Sequence, residues 1–277
     1  MFPVLFTIGP VEIRTMSLFV FLGFFLSSFI FWRKGKEEHY SQAEIFDGFL
    51  VSAIIGSIFA RAIFIVFNIS SISWNIFNWF DFIGFPGLNL IAGLSIAAFY
   101  MYKFSLKNKW DAFEVLDFWV TSTALGLAIY ALGSFFEGIG YGYATNLPWG
   151  VVFPKLIDPH HPVQLYFAIF YFGLYFYLSR VEYKYRTFTW YRHGKKTAQT
   201  GFLTAVFLIY VSLFTFFAAF LKPATLELLR INFDMVLSLI LAIVGVLLLF
   251  VRSGRMLPTP IKKKALPART KIENLHE

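Results

Sequence analysis

The residues able to do chemistry in this chain are few, and they concentrate in one segment. It reads Glu137-Gly138-Ile139-Gly140-Tyr141-Gly142-Tyr143, then Leu147-Pro148-Trp149-Gly150-Val151-Val152-Phe153-Pro154, then His160-His161-Pro162-Val163-Gln164-Leu165-Tyr166. Glycine at alternate positions permits close backbone approach and positive φ. Two adjacent histidines could ligate a metal, but no cysteine or carboxylate cluster completes a site, so no metal and no cofactor is expected. The remaining candidates are ionisable residues inside apolar stretches, where a charge is costly and asks for a function. Asp47 and Arg61 share one such stretch and Asp117 opens another. Along a helix rising 1.5 Å per residue, Asp47 and Arg61 stand about 21 Å apart and cannot pair. Arg61 can meet a lipid phosphate or a helix carbonyl, and a packing role and a ligand-binding role both stay open. The chain has 0 Cys, which excludes disulfides, thiolate metal sites and a cysteine nucleophile.

The elements that must position these residues are written in the composition. Of 277 residues, 58% are hydrophobic and only 14% charged, and Phe alone contributes 37. A soluble domain would carry about a quarter charged residues, so the solvent implied is lipid. Seven apolar stretches, at 15–32, 45–67, 88–102, 116–136, 163–178, 202–221 and 235–251, read as membrane-crossing helices. The third follows Pro86-Gly87 and is expected to be tilted, broken or partly re-entrant. The fold class expected is all-α: a polytopic membrane bundle of about seven transmembrane helices, as one domain over 1–252. A basic, flexible tail is expected over 253–277.

Lys and Arg alternate between loops. Arg33, Lys34 and Lys36 follow the first stretch, Lys103, Lys107 and Lys109 the third, and Arg180, Lys184, Arg186, Arg192, Lys195 and Lys196 the fifth. The tail adds another basic cluster that includes Lys262, Lys263 and Lys264. The opposite loops hold only Arg14, Lys155, Lys222 and Arg230. By the positive-inside rule the basic set is cytoplasmic, which places the N-terminus outside and the C-terminus in the cytoplasm. The net charge of +8 is therefore a matter of topology and lipid surface, not of nucleic acid. The first stretch has reversed flanks for a signal peptide and no small-residue cleavage site, so it is read as a retained helix. The outward segment 68–87 holds no cation and carries Trp74, Phe77, Trp79, Phe80 and Phe82. An interfacial aromatic belt is one reading of it and a substrate-gating element the other.

At these motifs the chain resembles the prolipoprotein diacylglyceryl transferases, inner-membrane enzymes of bacterial lipoprotein maturation, from Phe2 to about Val251. The opening Phe2-Pro3-Val4-Leu5-Phe6-Thr7-Ile8-Gly9-Pro10 is similar to the family's start. The run from Gly56 through Arg61 to Asn68 resembles its second-helix pattern. Leu147 to Pro154 matches Leu-Pro-Trp-Gly-Val-Val-Phe-Pro, and His161 to Tyr166 resembles His-Pro-Ser-Gln-Leu-Tyr. The resemblance implies seven spans in the bacterial inner membrane, an outward active site, and transfer of diacylglyceryl from phosphatidylglycerol to the lipobox cysteine of a prolipoprotein. Partners would be that phospholipid and the prolipoprotein signal peptide. The reaction needs a base to ionise the thiol and donors to stabilise the phosphate leaving group.

Carried over residue by residue, the resemblance makes His161 the catalytic base. Arg61, Ser134, Glu137, Tyr141, Gly142, Gln164 and Tyr166 are the lipid-binding set. The packing alternative for His161 is a structural one, its imidazole bonding a carbonyl beside Pro162. Several family positions depart: the first-span Tyr falls at Met16, the His of the glycine motif at Ile91, and the signature Arg, Asn and Glu at Ala131, Ser134 and Ile139. The sixth-span Arg and Glu fall at Phe214 and Ala218. The competing functions are thus an active diacylglyceryl transferase, a catalytically silent paralogue that binds lipid or lipoprotein, and a transporter or different chemistry on the same bundle. The last lacks the repeats and paired charges of many ion-coupled carriers.

Overall fold

The structure is a computed structural model that describes residues 2–9, 11–81, 84–85, 87–154, 156–185, 199–224, 226–228 and 231–252. The expected tail at 253–277 and most of the basic loop after the fifth stretch lie outside the described residues. In chain order come β1 (Val4–Ile8), β2 (Val11–Arg14), α1 (Thr15–Glu37), α2 (Gln42–Phe67), α3 (Ile69–Ile72) and α4 (Ile76–Trp79). Then follow α5 (Leu90–Lys107), α6 (Ala112–Glu137), α7 (Val163–Tyr185), α8 (Phe202–Ala218), β3 (Glu227–Leu228), β4 (Ile231–Asn232) and α9 (Phe233–Arg252). All seven apolar stretches fall on helices, and α1, α2, α6 and α9 are long and apolar enough to cross a membrane. Large apolar side chains such as Phe21, Phe25 and Phe29 of α1 stand exposed four residues apart along one helix face. That pattern suits lipid as the outer solvent, so the architecture is a helical membrane bundle.

Two short antiparallel hairpins, β1 with β2 and β3 with β4, accompany the helices of the expected all-α class. Each joins directly to a helix, and Thr15 donates its backbone N–H to Pro3 O at 3.1 Å, seating the first hairpin on the start of α1. Helix α5 does begin late, after Gly87, with Asn89 as its N-cap accepting from Ala92 N at 2.9 Å. Its 18 residues make a rod of about 27 Å at 1.5 Å per residue.

Helix α6 is the axis of the bundle. It packs against α1, α5, α7 and α8, while α2 pairs with α5 and α8 with α9. Its N-cap is Asp111, accepting from Phe113 N at 3.0 Å and Glu114 N at 3.3 Å. Small residues set two of the contacts. A Cβ on Gly23 of α1 would lie 3.1 Å from Gly126 O of α6, and one on Gly93 of α5 would lie 2.7 Å from Gly56 O of α2. In lipid, where apolar burial does not drive helix pairing, such backbone approach and its dispersion contacts do. At the face opposite residues 137–162, Lys34 of α1 pairs with Glu182 of α7, and Tyr40 bonds Glu114. Burial, then that bond and the Glu114 charge, push the Tyr40 phenol above its ordinary range.

Asp117 is 2% exposed in α6, yet it is satisfied. Its carboxylate accepts from Gly201 N at 2.8 Å, Thr204 N at 2.8 Å and Thr204 Oγ1 at 2.7 Å. It thus caps the start of α8 from another helix, where the helix dipole also favours an anion. Asp117→Ala should destabilise the bundle by about 3 kcal/mol, the loss of a charged cap with several hydrogen bonds. Thermal unfolding in detergent checks it, with Asp117→Asn expected to cost less. Equal stability of all three proteins would show that α8 does not depend on this cap.

Candidate active site

Helix α6 ends where the candidate segment begins, at Gly138, whose φ of 81° closes the helix in the left-handed region. From there the chain crosses to the segment just after α8: Tyr143 N donates to Leu221 O at 2.8 Å. It then pairs with its own return limb, Gly142 N donating to His161 O at 2.9 Å and His161 N to Tyr143 O at 3.0 Å. Isolated bridges join His160 to Ala144 and to Val151. Glycine is required at 142, because a Cβ there would sit 2.3 Å from Leu221 O. Tyr141 stacks on Phe153 at 5.0 Å between centroids and meets the edge of His160 at 5.3 Å.

The return limb presents the polar side chains. His161 Nδ1 lies 3.3 Å from Tyr166 Oη, and Trp149 Nε1 donates to the same oxygen at 2.8 Å. Gln164 is buried and donates through Nε2 to Ile139 O at 2.7 Å, while its Oε1 has no partner among the described residues. The structure therefore brings Tyr141, Gly142 and His161 of the loop together with Gln164 and Tyr166 of the first turn of α7.

Glu137 and Ser134 lie on the flank of α6 that faces α1. Glu137, with 4% of its side chain exposed, holds Arg14 Nη2 at 2.5 Å and accepts from Met16 N at 2.8 Å. Ser134 donates to Tyr130 O at 3.2 Å and touches Met16 Sδ at 3.7 Å. Arg61 forms a third locality. It donates to four carbonyls, Trp79 O at 3.0 Å, Phe85 O at 2.7 Å, Gly87 O at 2.9 Å and Asp81 O at 3.1 Å. A guanidinium has five N–H donors, so four of them close the turn between α4 and α5. These bonds supply the carbonyl partners that were one of the two readings for Arg61.

Sequence reasoning named neither Arg14 nor Trp149 as a site residue, and it missed a buried cluster at the other flank. There Asp234 accepts from Asn89 Nδ2 at 2.9 Å and faces Lys222 Nζ at 3.3 Å. Arg14 and Lys222 entered the sequence reading only as sparse cations on the outward side. Their scarcity there was the available signal.

Between α1, α2, α5 and α6 runs a cavity of about 270 Å³, bordered by Val20, Ser27, Ala53, Ala60, Leu94 and Tyr130 among others. Its walls are mainly apolar and small. Among the described residues, no group of three His, Cys, Asp or Glu could hold a metal ion.

Gly142→Val should push the loop off Leu221. Limited proteolysis within 137–162 is expected to speed up about tenfold, equivalent to about 1.4 kcal/mol of lost docking. An unchanged rate would mean that the contact at Leu221 does not hold the loop.

Comparison with known proteins adds the following. The family model described as prolipoprotein diacylglyceryl transferase matches residues 3–251. The phosphatidylglycerol–prolipoprotein diacylglyceryl transferase of Clostridium tetani is 30% identical, over 76% of this chain and 80% of that protein. The protein of the same name from Finegoldia magna is 25% identical over 88% of this chain and 93% of that protein. That from Aeromonas hydrophila is 26% identical over 91% of each.

Proposed function

Because this chain belongs to the prolipoprotein diacylglyceryl transferase family, we propose that it transfers diacylglyceryl from phosphatidylglycerol to the lipobox cysteine of a prolipoprotein at the outer face of the bacterial inner membrane. In this reading α1, α2, α5, α6, α7, α8 and α9 each cross the bilayer, with the N-terminus outside. The short α3 and α4 lie at the outer interface. The cation-rich connections then face the cytoplasm and the 137–162 segment faces out.

The observation that carries the reading is the Trp149–Tyr166–His161 chain, set in a loop anchored on Leu221. Tyr166 Oη has two lone pairs. It accepts from Trp149, and in the tautomer that places the proton on His161 Nδ1 it accepts from His161 as well. Nε2 of His161 has no hydrogen-bond partner among the described residues, and in that tautomer it carries a lone pair. It takes the proton of the cysteine thiol. The thiolate attacks the glyceryl carbon that bears the phosphate ester; the new C–S bond forms as that C–O bond breaks, and glycerol phosphate leaves. Tyr141, Gln164 and the backbone at Gly142 shape the mouth over the reacting carbon. Arg61 serves this site by holding the turn before α5, and Ser134 and Glu137 by holding α1 to α6.

A second reading draws on Phe214. Its ring stacks on Phe170 at 4.1 Å and 5°, and Ala131 is buried; the family pattern puts an arginine at each place. Aromatic filling of that kind favours a silent module that binds lipid or lipoprotein.

Purified protein in phosphatidylglycerol liposomes, offered a lipobox peptide, separates the two. Modification is expected, with His161→Gln lowering kcat/KM about 100-fold, the usual effect of losing a general base. Absence of any modified peptide, together with failure to complement a strain depleted of its own transferase, would leave the silent reading standing. Unchanged kcat/KM in His161→Gln would move the base elsewhere.

A further inference from the structure

The hairpins α1–α2 and α5–α6 correspond residue by residue at a constant offset of seventy positions. Helices α1 and α5 end at Glu37 and Lys107, and α2 and α6 both run for 26 residues, from Gln42 and from Ala112. The turns between them are bonded alike. Glu38 N, His39 N and Tyr40 N donate to Lys34 O, Lys36 O and Gly35 O, while Asn108 N, Lys109 N and Trp110 N donate to Phe104 O, Leu106 O and Ser105 O. His39 and Lys109 both have positive φ, at 63° and 60°, which is uncommon for residues other than glycine. The helix contacts repeat as well. Gly23 on Gly126 and Gly93 on Gly56 are one contact seen twice, since Gly23 corresponds to Gly93 and Gly56 to Gly126. A rotation that carries α1·α6 onto α5·α2 and back is a two-fold, and because both turns meet at one end its axis runs along the bundle. Tyr40 and Trp110, counterparts of each other, have ring centroids 4.9 Å apart, and a residue touching its own counterpart marks where the axis passes. Identity between the copies is thin, at positions such as Glu44 and Glu114, Asp47 and Asp117, and Ser52 and Ser122, so the linear chain shows no repeat.

The four helices thus fall into two bodies. Each is a glycine-locked pair, α1·α6 or α2·α5, taking one helix from each hairpin and held backbone to backbone. Each is tied again near the 137–162 end. Glu137 accepts from Met16 N and holds Arg14 in one, and Asn89 N donates to Ala60 O at 3.0 Å in the other. Between the bodies, ring contacts crowd toward the opposite end. Phe31 and Phe24 of α1 meet Phe49 of α2 at 5.2 Å and 5.8 Å, Tyr102 of α5 meets Phe113 of α6 at 5.8 Å, and the Tyr40–Trp110 pair lies at the turns. On the other side of Phe24 and Phe49 the cavity, an apolar slot, separates the bodies. Its walls come in counterparts, Val20 with Leu90, Ala53 with Thr123 and Ala60 with Tyr130, so it lies on the axis.

We infer that the two bodies form a clamp that pivots on Tyr40 and Trp110 and opens the slot at the end of residues 137–162. The turns at 38–41 and 108–111 join one body to the other and act as the hinge. Tilt grows with distance from it. A rod of 26 residues is about 39 Å long, so a tilt of about 5° parts the far ends by about 3 Å. Helix α9 limits the opening. It packs on α8 at Gly245, and α8 packs on α6. At its other end Asp234 accepts from Asn89 of α5, and Phe233 meets Phe67 of α2 at 4.8 Å. It therefore straps one body to the other near the moving end, with Lys222 facing Asp234 at 3.3 Å. The clamp is a property of the bundle that goes beyond the proposed function and stands whether or not the protein turns over.

Because the chain has 0 Cys, spin labels on introduced cysteines report single sites, and double electron–electron resonance in phosphatidylcholine nanodiscs reads their separation. Exposed positions serve: Val66→Cys with Phe136→Cys at the opening end, Lys36→Cys with Leu106→Cys at the pivot, and Phe59→Cys with Phe99→Cys inside one body. The first pair is expected to give two distances and the others one each. Asp234→Ala should shift the first pair toward its longer distance about fivefold and leave the pivot pair unchanged. Trp110→Ala should broaden the pivot pair, and Trp110→Phe, which keeps a ring on Tyr40, should restore it. A single distance at the opening end that Asp234→Ala does not move overturns the clamp. So would a pivot pair indifferent to Trp110→Ala, or broadening of the Phe59 and Phe99 pair equal to that at the opening end.

Discussion

Helices α1 and α6 meet backbone to backbone at Gly23 and Gly126, and the rest of the architecture is arranged around that contact. A side chain at either position would hold the two helices apart: the Cβ of residue 126 alone would fall 2.4 Å from Ser27 Oγ. With the pair this close, Arg14 reaches Glu137 and Met16 N finds the same carboxylate. The first hairpin is drawn in as well, Phe2 N donating to Phe136 O at 3.0 Å. A second close pair, α2 and α5 at Gly56 and Gly93, stands beside the first. Small residues bring each pair together, and the gap left between the pairs is the apolar slot. Dispersion between close-packed backbones is what lipid leaves available for helix association, so packing and cavity have one origin.

The second constraint is that non-helical backbone near a membrane must be satisfied by protein. The turn between α4 and α5 exposes carbonyls that no helix serves, and Arg61 serves four of them with one rigid fork. Asp117 does the complementary task for N–H groups at the start of α8, and Asn89 and Asp234 tie α5 to α9. Buried charge in this bundle is thus assigned to helix ends and turns. Each such group is costly alone and stable only because several hydrogen bonds converge on it.

That assignment bears on the chemistry. At the two positions where the resemblance implies arginines, the chain has a buried alanine at 131 and a phenylalanine at 214 stacked on Phe170. The loop that carries His161 is instead held by Tyr143 N on Leu221 O and by the Trp149–Tyr166–His161 contacts. Among the described residues, Arg14 holds a half-exposed guanidinium on Glu137 at the C-terminal end of α6.

Much of this was legible in the linear chain. The low charge, the seven apolar stretches and the alternation of cations specify a helical membrane bundle, because hydropathy and charge are sums over neighbours in sequence. The motif from Leu147 to Pro154 and the run from His161 to Tyr166 likewise identify the family, and Gly142 already asks for a close approach. What no local reading contains is the partner of each polar group. Arg61 could have met phosphate or carbonyl, and Arg14, Lys222 and Asp117 carried no sign of Glu137, Asp234 or Thr204. Such partners lie on other elements, often more than a hundred residues away, as Glu137 is from Met16. Which of them meet depends on how the helices dock and on which donors and carbonyls docking leaves unserved. Only the tertiary structure decides that.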